Sequence, residues 1–314
     1  MIRIVFEGGL GNQLFEIVMG RYLQLHFKDE IQYYISKYRN EVGEYRNFEL
    51  DAFVIPADWH RIELQGSRIQ RMGLKYLYAG VLTKLYFMLM NICRMKSYNS
   101  SLDTIYQRCL NVFGIYWIHN PKSYKRPDNS WTKNKLFLGQ WIWPSMCEEY
   151  KDEIHQFVQF KQRPTIANQH ILDQIQSTNS VGVHIRRGDY VTLGLVVCSL
   201  NYYEHCIDVM ANRMDNPVFF IFSDDIPWVK ENIKTDKTLV FVDNHNSAPQ
   251  DMQLLSSCKH FIMSNSTFSW WSAFLCKNPN KIVLAPKYWK AGDDKYHSVM
   301  ILDSMELIDN REYL

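Results

Sequence analysis

Residues 181–285 alternate short apolar stretches with stretches of helical spacing, and this alternation limits the fold more than any other feature. Strands are predicted at 181–185, 218–222, 238–242, 260–263 and 281–285, and helices at 201–213, 227–233, 249–258 and 270–276. Polar turns separate most of these strands from the helices that follow. Repeated units of this kind predict a parallel sheet with helices on both faces, so the fold class is α/β.

The chain begins with the same kind of unit. An apolar strand at 2–6 leads into Glu7-Gly-Gly-Leu-Gly-Asn-Gln-Leu-Phe15 and a helix to about residue 26. The glycines resemble part of a dinucleotide-binding turn, but leucine replaces the third glycine, and no acidic residue ends a second strand about 20 residues later. This argues against a dinucleotide site. Asn12 and Gln13 place two uncharged amides at the turn, where they suit hydroxyl groups or cap the helix.

Two domains are expected, because 314 residues exceed the usual size of one hydrophobic core. The first is placed at 1–165 and the second at 166–314, since Arg163-Pro164 interrupts the helical pattern. Further strands are predicted at 33–35, 106–118 and 136–138, and further helices at 148–160 and 166–175. An aromatic turn with Trp141 and Trp143 follows the strand at 136–138, and it forms either a wall for a substrate or part of the core.

The composition bears on partners and compartment. A net charge of +2 gives no support to nucleic-acid binding over the whole chain. Seven cysteines are scattered without metal-ligand spacing, which favours reduced thiols over a disulfide framework. The first residues show no basic region followed by a long apolar stretch, as a secretion signal would. We therefore expect a cytoplasmic protein that does not bind nucleic acid.

A basic segment at 60–96 contains seven Lys or Arg residues and one acid, Glu63. Its apolar centre, 74–95, is close to the length of a membrane span, but Lys84 lies near the middle and Thr83 and Asn91 interrupt it. A lysine at the centre of a bilayer is costly. The pattern instead predicts an amphipathic helix, packed on the protein or lying at an anionic membrane surface such as the inner membrane face.

The stretch Val181 to Val191 brings His184, Arg186, Arg187 and Asp189 to the carboxyl end of a strand. In open α/β sheets, ligands bind at that edge. A guanidinium group suits bidentate contact with phosphate. The alternative is a cluster of salt bridges among the arginines and the aspartate, and the local sequence does not decide between them.

Two further turns are expected at the same edge. Ser264 to Ser269 enters a helix, and its free backbone N–H groups with the hydroxyls of Ser266 and Thr267 suit an anion. The alternative is helix capping alone, worth about 1 kcal/mol. Asp224 and Asp225 are adjacent, so on an extended chain they point opposite ways and would not chelate one metal ion well. No metal is expected.

Four blocks of this sequence resemble the α-1,2-fucosyltransferases of glycosyltransferase family 11. His184-Ile-Arg-Arg-Gly-Asp-Tyr190 is similar to the family's HxRRGDY motif, and Gly8-Gly-Leu-Gly-Asn-Gln13 to its amino-terminal signature. Residues 223–228 and 264–274 are similar to two later blocks. The blocks occur in the family's order from residue 1 to about 290, whereas 60–96 matches none of them.

The resemblance implies a GT-B architecture, with two facing Rossmann-like domains and GDP-fucose held by the carboxyl-terminal one. It implies transfer of fucose with inversion, and without a metal or another cofactor, to a galactose hydroxyl. The acceptor would be a surface glycan such as an O-antigen, and the enzyme a bacterial one. Two alternatives stay open: a fucosyltransferase of different linkage, and a non-catalytic protein that binds guanine nucleotide or glycan.

The resemblance also assigns residues to roles. Arg186 is expected to contact the donor diphosphate. The other candidates for this contact are Arg187, Ser264, Asn265, Ser266, Thr267 and Phe268. Candidates for nucleoside contact are His184, Asp224, Asp225 and Asp251, the last of these at the guanine edge. Candidates on the acceptor side are Gly9, Asn12, Gln13, Trp141 and Trp143.

The catalytic base stays open among the carboxylates. Inversion in one displacement needs the proton of the acceptor hydroxyl removed or shared. Asp189 and Glu7 are candidates. Alternatively, stabilisation of the leaving group by Arg186 provides most of the effect without a strong base. His184 and Asp189 are also expected to shape the turn and orient the arginines.

Overall fold

The structure is a computed structural model that describes residues 1–35, 38–39, 45–54, 60–63, 74–92, 100–117, 132–290 and 300–313. These residues belong to two compact units. The first comprises Met1–Tyr38, Tyr45–Phe48 and Ile55–Trp143, and the second Arg39–Glu44, Glu49–Val54 and Pro144–Leu314. Residues 144–165, which the sequence analysis assigns to the first domain, therefore lie in the second unit.

Before residue 144 the described elements form a strand–helix succession. In chain order they are β1 Ile2–Phe6, α1 Leu10–Phe27, β2 Ile31–Ile35, β3 Tyr38–Arg39, β4 Tyr45–Arg46, a 3-10 turn Leu50–Ala52, β5 His60–Glu63, α2 Leu74–Ile92, α3 Ser100–Asn111, β6 Ile115–Trp117 and β7 Lys135–Leu138. The main sheet of the first unit has the order β5-β2-β1-β7-β6, and all its strands are parallel.

The central strand β1 fixes the position of the glycine turn in the first unit. Ile2, Ile4 and Val5 of this strand are buried. Gly8 follows with φ +86°, and a Cβ at this position would collide with the side chain of Asn12. Glycine is therefore required there for both its backbone angle and the close approach. The turn and the start of α1 at Leu10 lie at the carboxyl end of β1.

After residue 143 the alternation is regular. The elements are α4 Pro144–Glu149, α5 Lys151–Phe157, α6 Ile166–Ser177, β8 Asn179–Ile185, α7 Gly188–Thr192, α8 Leu200–Ala211, β9 Pro217–Ser223, α9 Ile226–Asn232, β10 Leu239–Phe241, α10 Ala248–Ser256, β11 His260–Ile262, α11 Thr267–Leu275, β12 Val283–Pro286, β13 Glu306–Ile308 and a 3-10 turn Asn310–Tyr313. The sheet order is β10-β9-β8-β11-β12-β13, and all pairs are parallel.

Strand β8 lies inside this second sheet, between β9 and β11. Val181, Val183 and Ile185 are buried in a core that also contains residues of α8 and β9. At Gly182 an added Cβ would lie 2.5 Å from Leu255 Cδ1, so the strand needs glycine where α10 approaches it. Because the strands are parallel, the carboxyl ends of β9, β8 and β11 meet at one edge of the sheet.

The α/β class with parallel sheets is confirmed, but two predicted elements are wrong. The strand at 106–118 is largely helix: α3 continues to Asn111, and only Ile115–Trp117 form a strand. Tyr106 and Leu110, four residues apart, bury one face of that helix, and Gly114 with φ +67° follows its end. Residue 118 lies outside the described residues.

The helix predicted at 148–160 is also wrong in its bounds. It consists of two short helices, α4 and α5, separated at Tyr150, and it ends at Phe157. Phe160 instead forms an antiparallel bridge with Phe53. The last strand, β13, is not predicted from the sequence, because its three residues, Glu306, Leu307 and Ile308, are too few to show an alternation of apolar and polar positions.

The helix predicted within the basic segment is confirmed as α2, Leu74–Ile92. The rest of that segment, apart from β5 at His60–Glu63, lies outside the described residues. Over the part of the chain that the structure describes, no helix has the length and apolar character needed to cross a membrane.

Candidate functional site

Arg186 directly follows β8, and two carboxylates hold its guanidinium group. Its Nη1 lies 2.7 Å from Asp224 Oδ2, and its Nη2 pairs with Asp189 Oδ1. The guanidinium carbon lies 5.3 Å from the centre of the Tyr190 ring, within cation–π range. The side chain is 21% exposed. Arg186 is therefore held in a fixed orientation but remains within reach of a ligand.

Arg187 uses different partners. Its backbone N–H donates to Asp224 Oδ1 at 2.8 Å, and its Nε donates to Asp225 Oδ2 at 3.2 Å. The guanidinium carbon lies 3.1 Å from the centre of the Trp228 ring. Asp225 also caps α9, where Oδ1 accepts from the backbone N–H of Trp228 at 3.4 Å. A cluster of salt bridges, the alternative to a phosphate site, is therefore present, but Arg187 pairs with Asp225 and not with Asp189. Phosphate contact by the arginines stays a prediction.

The backbone at Gly188 comes close to Asp224, and this brings the carboxylate of Asp224 to the arginines. A Cβ at Gly188 would collide with the carboxylate of Asp224. The backbone must therefore approach that side chain more closely than any other residue allows. Instead of the predicted simple turn, Gly188–Thr192 form the short helix α7.

His184 joins β8 to the turn that precedes α11. Its Nδ1 lies 3.0 Å from Ser264 Oγ and 2.6 Å from Ser269 Oγ, and these two hydroxyls are 2.9 Å apart. Burial, followed by the charge of Arg186, lowers the pKa of His184 to about 3. The ring is thus neutral under ordinary conditions and buried beneath the turn. This placement favours the predicted shaping role over nucleoside contact.

Ser266 is the N-cap of α11. Its Oγ accepts from the backbone N–H of Phe268 at 3.3 Å, and its own N–H donates to the carbonyl of Ser264 at 2.9 Å. The capping role predicted as the alternative is therefore confirmed. The other N–H groups of the first helical turn still point along the axis toward the carboxyl edge of the sheet. Use of this helix end as an anion seat stays a prediction.

Tyr190 connects the arginine stretch to that turn, and the sequence analysis assigned it no role. Its hydroxyl donates to the carbonyl of Asn265 at 3.2 Å, while its ring lies against Arg186. Asn265 Nδ2 in turn donates to the carbonyls of Leu195 and Trp289, both at 3.0 Å. The i to i+4 spacing of an arginine and an aromatic residue was the available signal, but the predicted turn concealed it.

Asp251 lies on α10 at the end of a chain of amides that the sequence analysis also missed. Asn246 Nδ2 donates to Asp251 Oδ1 at 2.9 Å, Asn168 Nδ2 to Asn246 Oδ1 at 2.8 Å, and Asn244 Nδ2 to Asn168 Oδ1 at 2.9 Å. Burial raises the pKa of Asp251 to about 6, although the bond from Asn246 opposes the shift. The carboxyl is therefore oriented and titrates near neutral pH.

In the first unit, the glycine turn surrounds a buried acid. The backbone N–H of Glu7 donates to both carboxyl oxygens of Glu16, at 3.1 and 3.2 Å. Burial, with a smaller contribution from the charge of Glu7, raises the pKa of Glu16 well above its ordinary value. Glu16 was missed because an acid in an amphipathic helix is usually exposed.

The acceptor-side candidates of the first unit take up different positions. Gln13 is buried, and its Nε2 donates to the carbonyls of Gly8 and Asn47 at 3.1 and 2.8 Å. Trp141 is 2% exposed, with its ring 5.0 Å from that of Phe137, which supports the alternative of a core residue.

Three other acceptor-side candidates are less buried or lie on the turn itself. Trp143 is half-buried, with its ring 6.3 Å from that of Tyr22. Gly9 is the N-cap of α1, and its carbonyl accepts from Asn12 N at 3.0 Å. Their contact with an acceptor stays a prediction.

Among the described residues, no three His, Cys, Asp or Glu side chains gather as a metal site would require. Asp224 and Asp225 instead serve Arg186 and Arg187. The expectation that no metal takes part stays a prediction, and chelation tests it.

Known proteins match the sequence of this chain over about a third to just over half of its length. The sequence profile of Glycosyl transferase family 11 matches residues 127–302, more than half of the chain. An alpha-1,2-colitosyltransferase from Escherichia coli is 35% identical over 183 residues, 54% of this chain and 61% of the relative. The O-antigen biosynthesis glycosyltransferase WbnK from Escherichia coli is 35% identical over 136 residues, 41% of this chain and 44% of the relative. The matches thus span less than two thirds of either relative.

A mammalian relative and a solved structure extend this similarity. Galactoside alpha-(1,2)-fucosyltransferase 2 of Rattus norvegicus is 38% identical over 108 residues, 32% of this chain and 30% of the relative. The crystal structure of the fucosyltransferase NodZ from Bradyrhizobium has a TM-score of 0.50 and covers 86% of this chain and 91% of that chain. At 13% identity, this likeness concerns the fold alone, and it confirms the predicted GT-B type. From the profile match, the chain belongs to glycosyl transferase family 11.

Proposed function

We propose that the protein is an inverting galactoside α-1,2-fucosyltransferase that transfers fucose from GDP-fucose to a galactose hydroxyl of a surface glycan. The observation that supports this most is the link between the reachable guanidinium of Arg186 and the turn before α11. Tyr190 makes that link through its ring and its hydroxyl. A cation beside a helix N-terminus is an arrangement suited to a diphosphate.

The donor diphosphate is expected to exchange partners with the ion network. Arg186 Nη1 and Asp224 Oδ2 form an ion pair at a partly exposed position, so a phosphate oxygen can replace the carboxylate. Asp189 then still holds Nη2 and keeps the guanidinium in place. The backbone N–H groups at the start of α11 and the hydroxyl of Thr267 would bind the remaining phosphate oxygens.

Asp251 is the proposed reader of the guanine edge. An ionised carboxylate accepts two hydrogen bonds side by side, which matches the N1–H and N2–H donors of guanine. The amide chain that ends at Asn246 holds one of its oxygens. With the pKa raised to about 6, the carboxyl is mostly ionised at neutral pH and able to accept both bonds.

The chemical step forms one bond, breaks another and transfers one proton. The acceptor oxygen forms a bond to fucose C1 while the bond from C1 to the phosphate oxygen breaks, and the electron pair leaves with GDP. Arg186 stabilises the charge that develops on the leaving phosphate. The proton of the acceptor hydroxyl passes to a carboxylate, for which Glu7 and Asp189 are the candidates, or to solvent.

A different donor sugar is the second candidate function. One Escherichia coli relative is named an alpha-1,2-colitosyltransferase, whereas the rat relative is named a galactoside alpha-(1,2)-fucosyltransferase. Both names give the same linkage, which supports an α-1,2 product. The name of the second Escherichia coli relative, an O-antigen biosynthesis glycosyltransferase, supports a bacterial surface glycan as the acceptor.

The location of the protein is also part of the proposal. We place it in the cytoplasm, on the inner face of the membrane where a lipid-linked acceptor would be presented. The odd number of scattered cysteines and the basic segment 60–96 support this location. The five buried thiols among the described cysteines are compatible with a reducing compartment.

The test measures GDP release from GDP-fucose across a panel of β-galactosides, with and without a chelator, and identifies the product linkage by NMR. We expect turnover with galactosides that is insensitive to the chelator and gives an α-1,2 product. GDP-colitose in a parallel assay distinguishes the second candidate. Protection by GDP in a thermal shift without turnover on any acceptor would instead indicate a non-catalytic binding protein.

A further inference from the structure

Helix α2 presents a continuous apolar stripe to the solvent. Leu77, Val81, Leu85, Met88 and Ile92 are between 45% and 69% exposed. Their spacing of four, four, three and four residues places them on one face of the helix. Single exposed apolar residues are normal on a protein surface, but a run of five along about four successive turns is not.

The opposite face of α2 fixes the helix in this orientation. Ala79, Tyr86 and Met90 are buried in the core of the first unit. Thr83 Oγ1 lies 2.7 Å from the hydroxyl of Tyr106, and the hydroxyl of Tyr86 donates to Asp103. These buried hydrogen bonds form only in one orientation of α2 about its axis. Rotation of α2 to hide the exposed stripe would break them.

The apolar surface continues onto the end of α3. Val112 and Phe113 follow this helix and are both exposed. The ring of Phe113 lies 4.4 Å from that of Tyr78, which is on α2 next to Leu77. The patch therefore spans two helices, and we call it the α2 face: Leu77, Val81, Leu85, Met88, Ile92, Val112 and Phe113.

The charged residues next to α2 in the sequence are basic. Residues 64–102 contain no Asp or Glu, but they contain Arg68, Arg71, Lys75, Lys84, Arg94 and Lys96. Lys84 is exposed and lies one helical turn before Met88 of the stripe. The next acid in the chain, Asp103, is buried and bonded to Tyr86. An apolar helix face with an exposed lysine beside it, in a stretch of sequence whose charged residues are all basic, is complementary to anionic lipid rather than to water or to a neutral protein groove.

We infer that the α2 face inserts into the interfacial layer of an anionic lipid membrane, with α2 parallel to the membrane plane. The apolar stripe would reach the boundary of the acyl chains, while Lys84 extends to the phosphate headgroups. This inference rests on the proposed location at the inner face of the membrane and specifies the residues that hold the protein there.

The test is co-sedimentation of the full chain with vesicles of phosphatidylcholine alone and vesicles that also contain phosphatidylglycerol. We expect binding to the anionic vesicles only. The double variant Leu85→Glu/Met88→Glu should bind them at least about tenfold more weakly. Lys84→Gln should bind about fivefold more weakly. The control Ile166→Glu puts the same charge at a 95% exposed apolar side chain of the second unit and should bind as the wild type does.

Each binding measurement is accompanied by two others. These are the turnover of a soluble galactoside and the molar mass of the protein from light scattering. Unchanged turnover in the α2 variants shows that they fold, so weaker vesicle binding then supports the inference. Equal binding by the double variant overturns it. The inference is also overturned if the wild type forms a dimer, the double variant is a monomer, and neither binds vesicles. A second copy of the chain then covers the α2 face. Vesicle binding by a wild type with no turnover supports this inference and counts against the proposed function alone.

Discussion

The two units each place a glycine-containing turn at the carboxyl end of a strand, but the two turns differ in their charge. After β8, the arginine turn contains Arg186 and Arg187 in ion pairs with carboxylates at partly exposed positions. The amide turn, residues 7–13 after β1, contains the backbone N–H of Glu7, which donates to the buried carboxyl of Glu16. Uncharged contacts thus fix the amide turn, and an exchangeable ion network fixes the arginine turn.

This difference indicates how the units divide the work. An ion pair that solvent reaches can give up one partner to a phosphate at little cost. A turn fixed by a buried amide that already bonds to two backbone carbonyls, as that of Gln13 does, keeps its shape and does not reorganise readily around a charged ligand. The arginine turn is therefore suited to the charged donor, and the amide turn to a neutral sugar hydroxyl. The predictions below test this division.

The largest effect is expected from Arg186→Ala. Loss of the guanidinium removes the cation beside the leaving phosphate, and kcat/KM for GDP-fucose should fall about 100- to 1,000-fold. The matched control is Arg213→Ala, because Arg213 pairs with Glu306 at the surface of the same unit. Near wild-type turnover in Arg186→Ala would leave the arginine turn with a structural role only and would remove the contrast between the two turns.

A pH-dependent effect is expected from Asp251. Its pKa is raised to about 6, so the carboxyl takes up a proton as the pH falls through 6 and then loses an acceptor for guanine. Affinity for GDP-fucose should be constant above that pH and fall about tenfold per pH unit below it. GDP-fucose is preferred to GDP because its diphosphate has no secondary ionisation in this range.

Calorimetric titrations of GDP-fucose binding at several pH values provide the measurement for this prediction. Asp251→Asn is the control, because it cannot titrate and should bind weakly with a flat profile. His184 does not titrate in this pH range, since its pKa is lowered to about 3. A wild-type profile parallel to that of the variant would assign the titration to another group.

A smaller effect is expected from Tyr190→Phe. The variant keeps the ring against Arg186 but loses the hydroxyl bond to the carbonyl of Asn265. One such bond is worth about 1 kcal/mol, so KM for GDP-fucose should rise about fivefold, with kcat less affected. Tyr202→Phe is the control: it removes a similar bond, 3.0 Å to the carbonyl of Met263, from a tyrosine that does not contact Arg186. Equal kinetics in the two variants would mean that Tyr190 only stabilises the fold.

The sequence was sufficient to predict the second unit and the edge at which its site lies. Apolar strands such as Val181 to Ile185, with a glycine where α10 packs, give a local signal that tertiary contacts do not override. The carboxyl-edge rule for parallel sheets then placed the arginines beside Ser266 without any coordinates. The assignment of Asp224 to Arg186 and Asp225 to Arg187 was not predictable, because it depends on how closely Gly188 approaches the side chain of Asp224.

Sequence reasoning failed where long-range packing decides. Residues 106–111 are predicted as part of a strand, whereas they form a helix whose Tyr106 packs against Thr83 of α2, a contact that the local sequence does not reveal. The amide chain to Asp251 joins Asn168 to Asn244 and Asn246 across more than seventy residues of sequence. No local pattern contains that information.

Glu16 provides the last and smallest test of the amide turn. Its pKa in the folded protein is raised above the ordinary 4.5, by burial and then by the charge of Glu7. The unfolded chain therefore loses the proton first as the pH rises. The stability that Glu16 contributes is fully present below its unfolded pKa and is lost as the pH rises toward its folded pKa. Glu16→Gln cannot titrate, so the stability of the variant relative to the wild type should rise with pH over the range above the ordinary pKa of 4.5.

Thermal unfolding of the wild type and Glu16→Gln over that range measures the difference, in which the contributions of other titrating groups cancel. Glu7→Gln is the matched control. It removes the neighbouring charge but keeps the backbone N–H bonds to Glu16, so it should narrow the pH range over which the wild type loses stability without abolishing the loss. A constant difference between the wild type and Glu16→Gln would mean that Glu16 titrates normally in the folded protein. A charged contact would then fix the amide turn as well, and its contrast with the arginine turn would disappear.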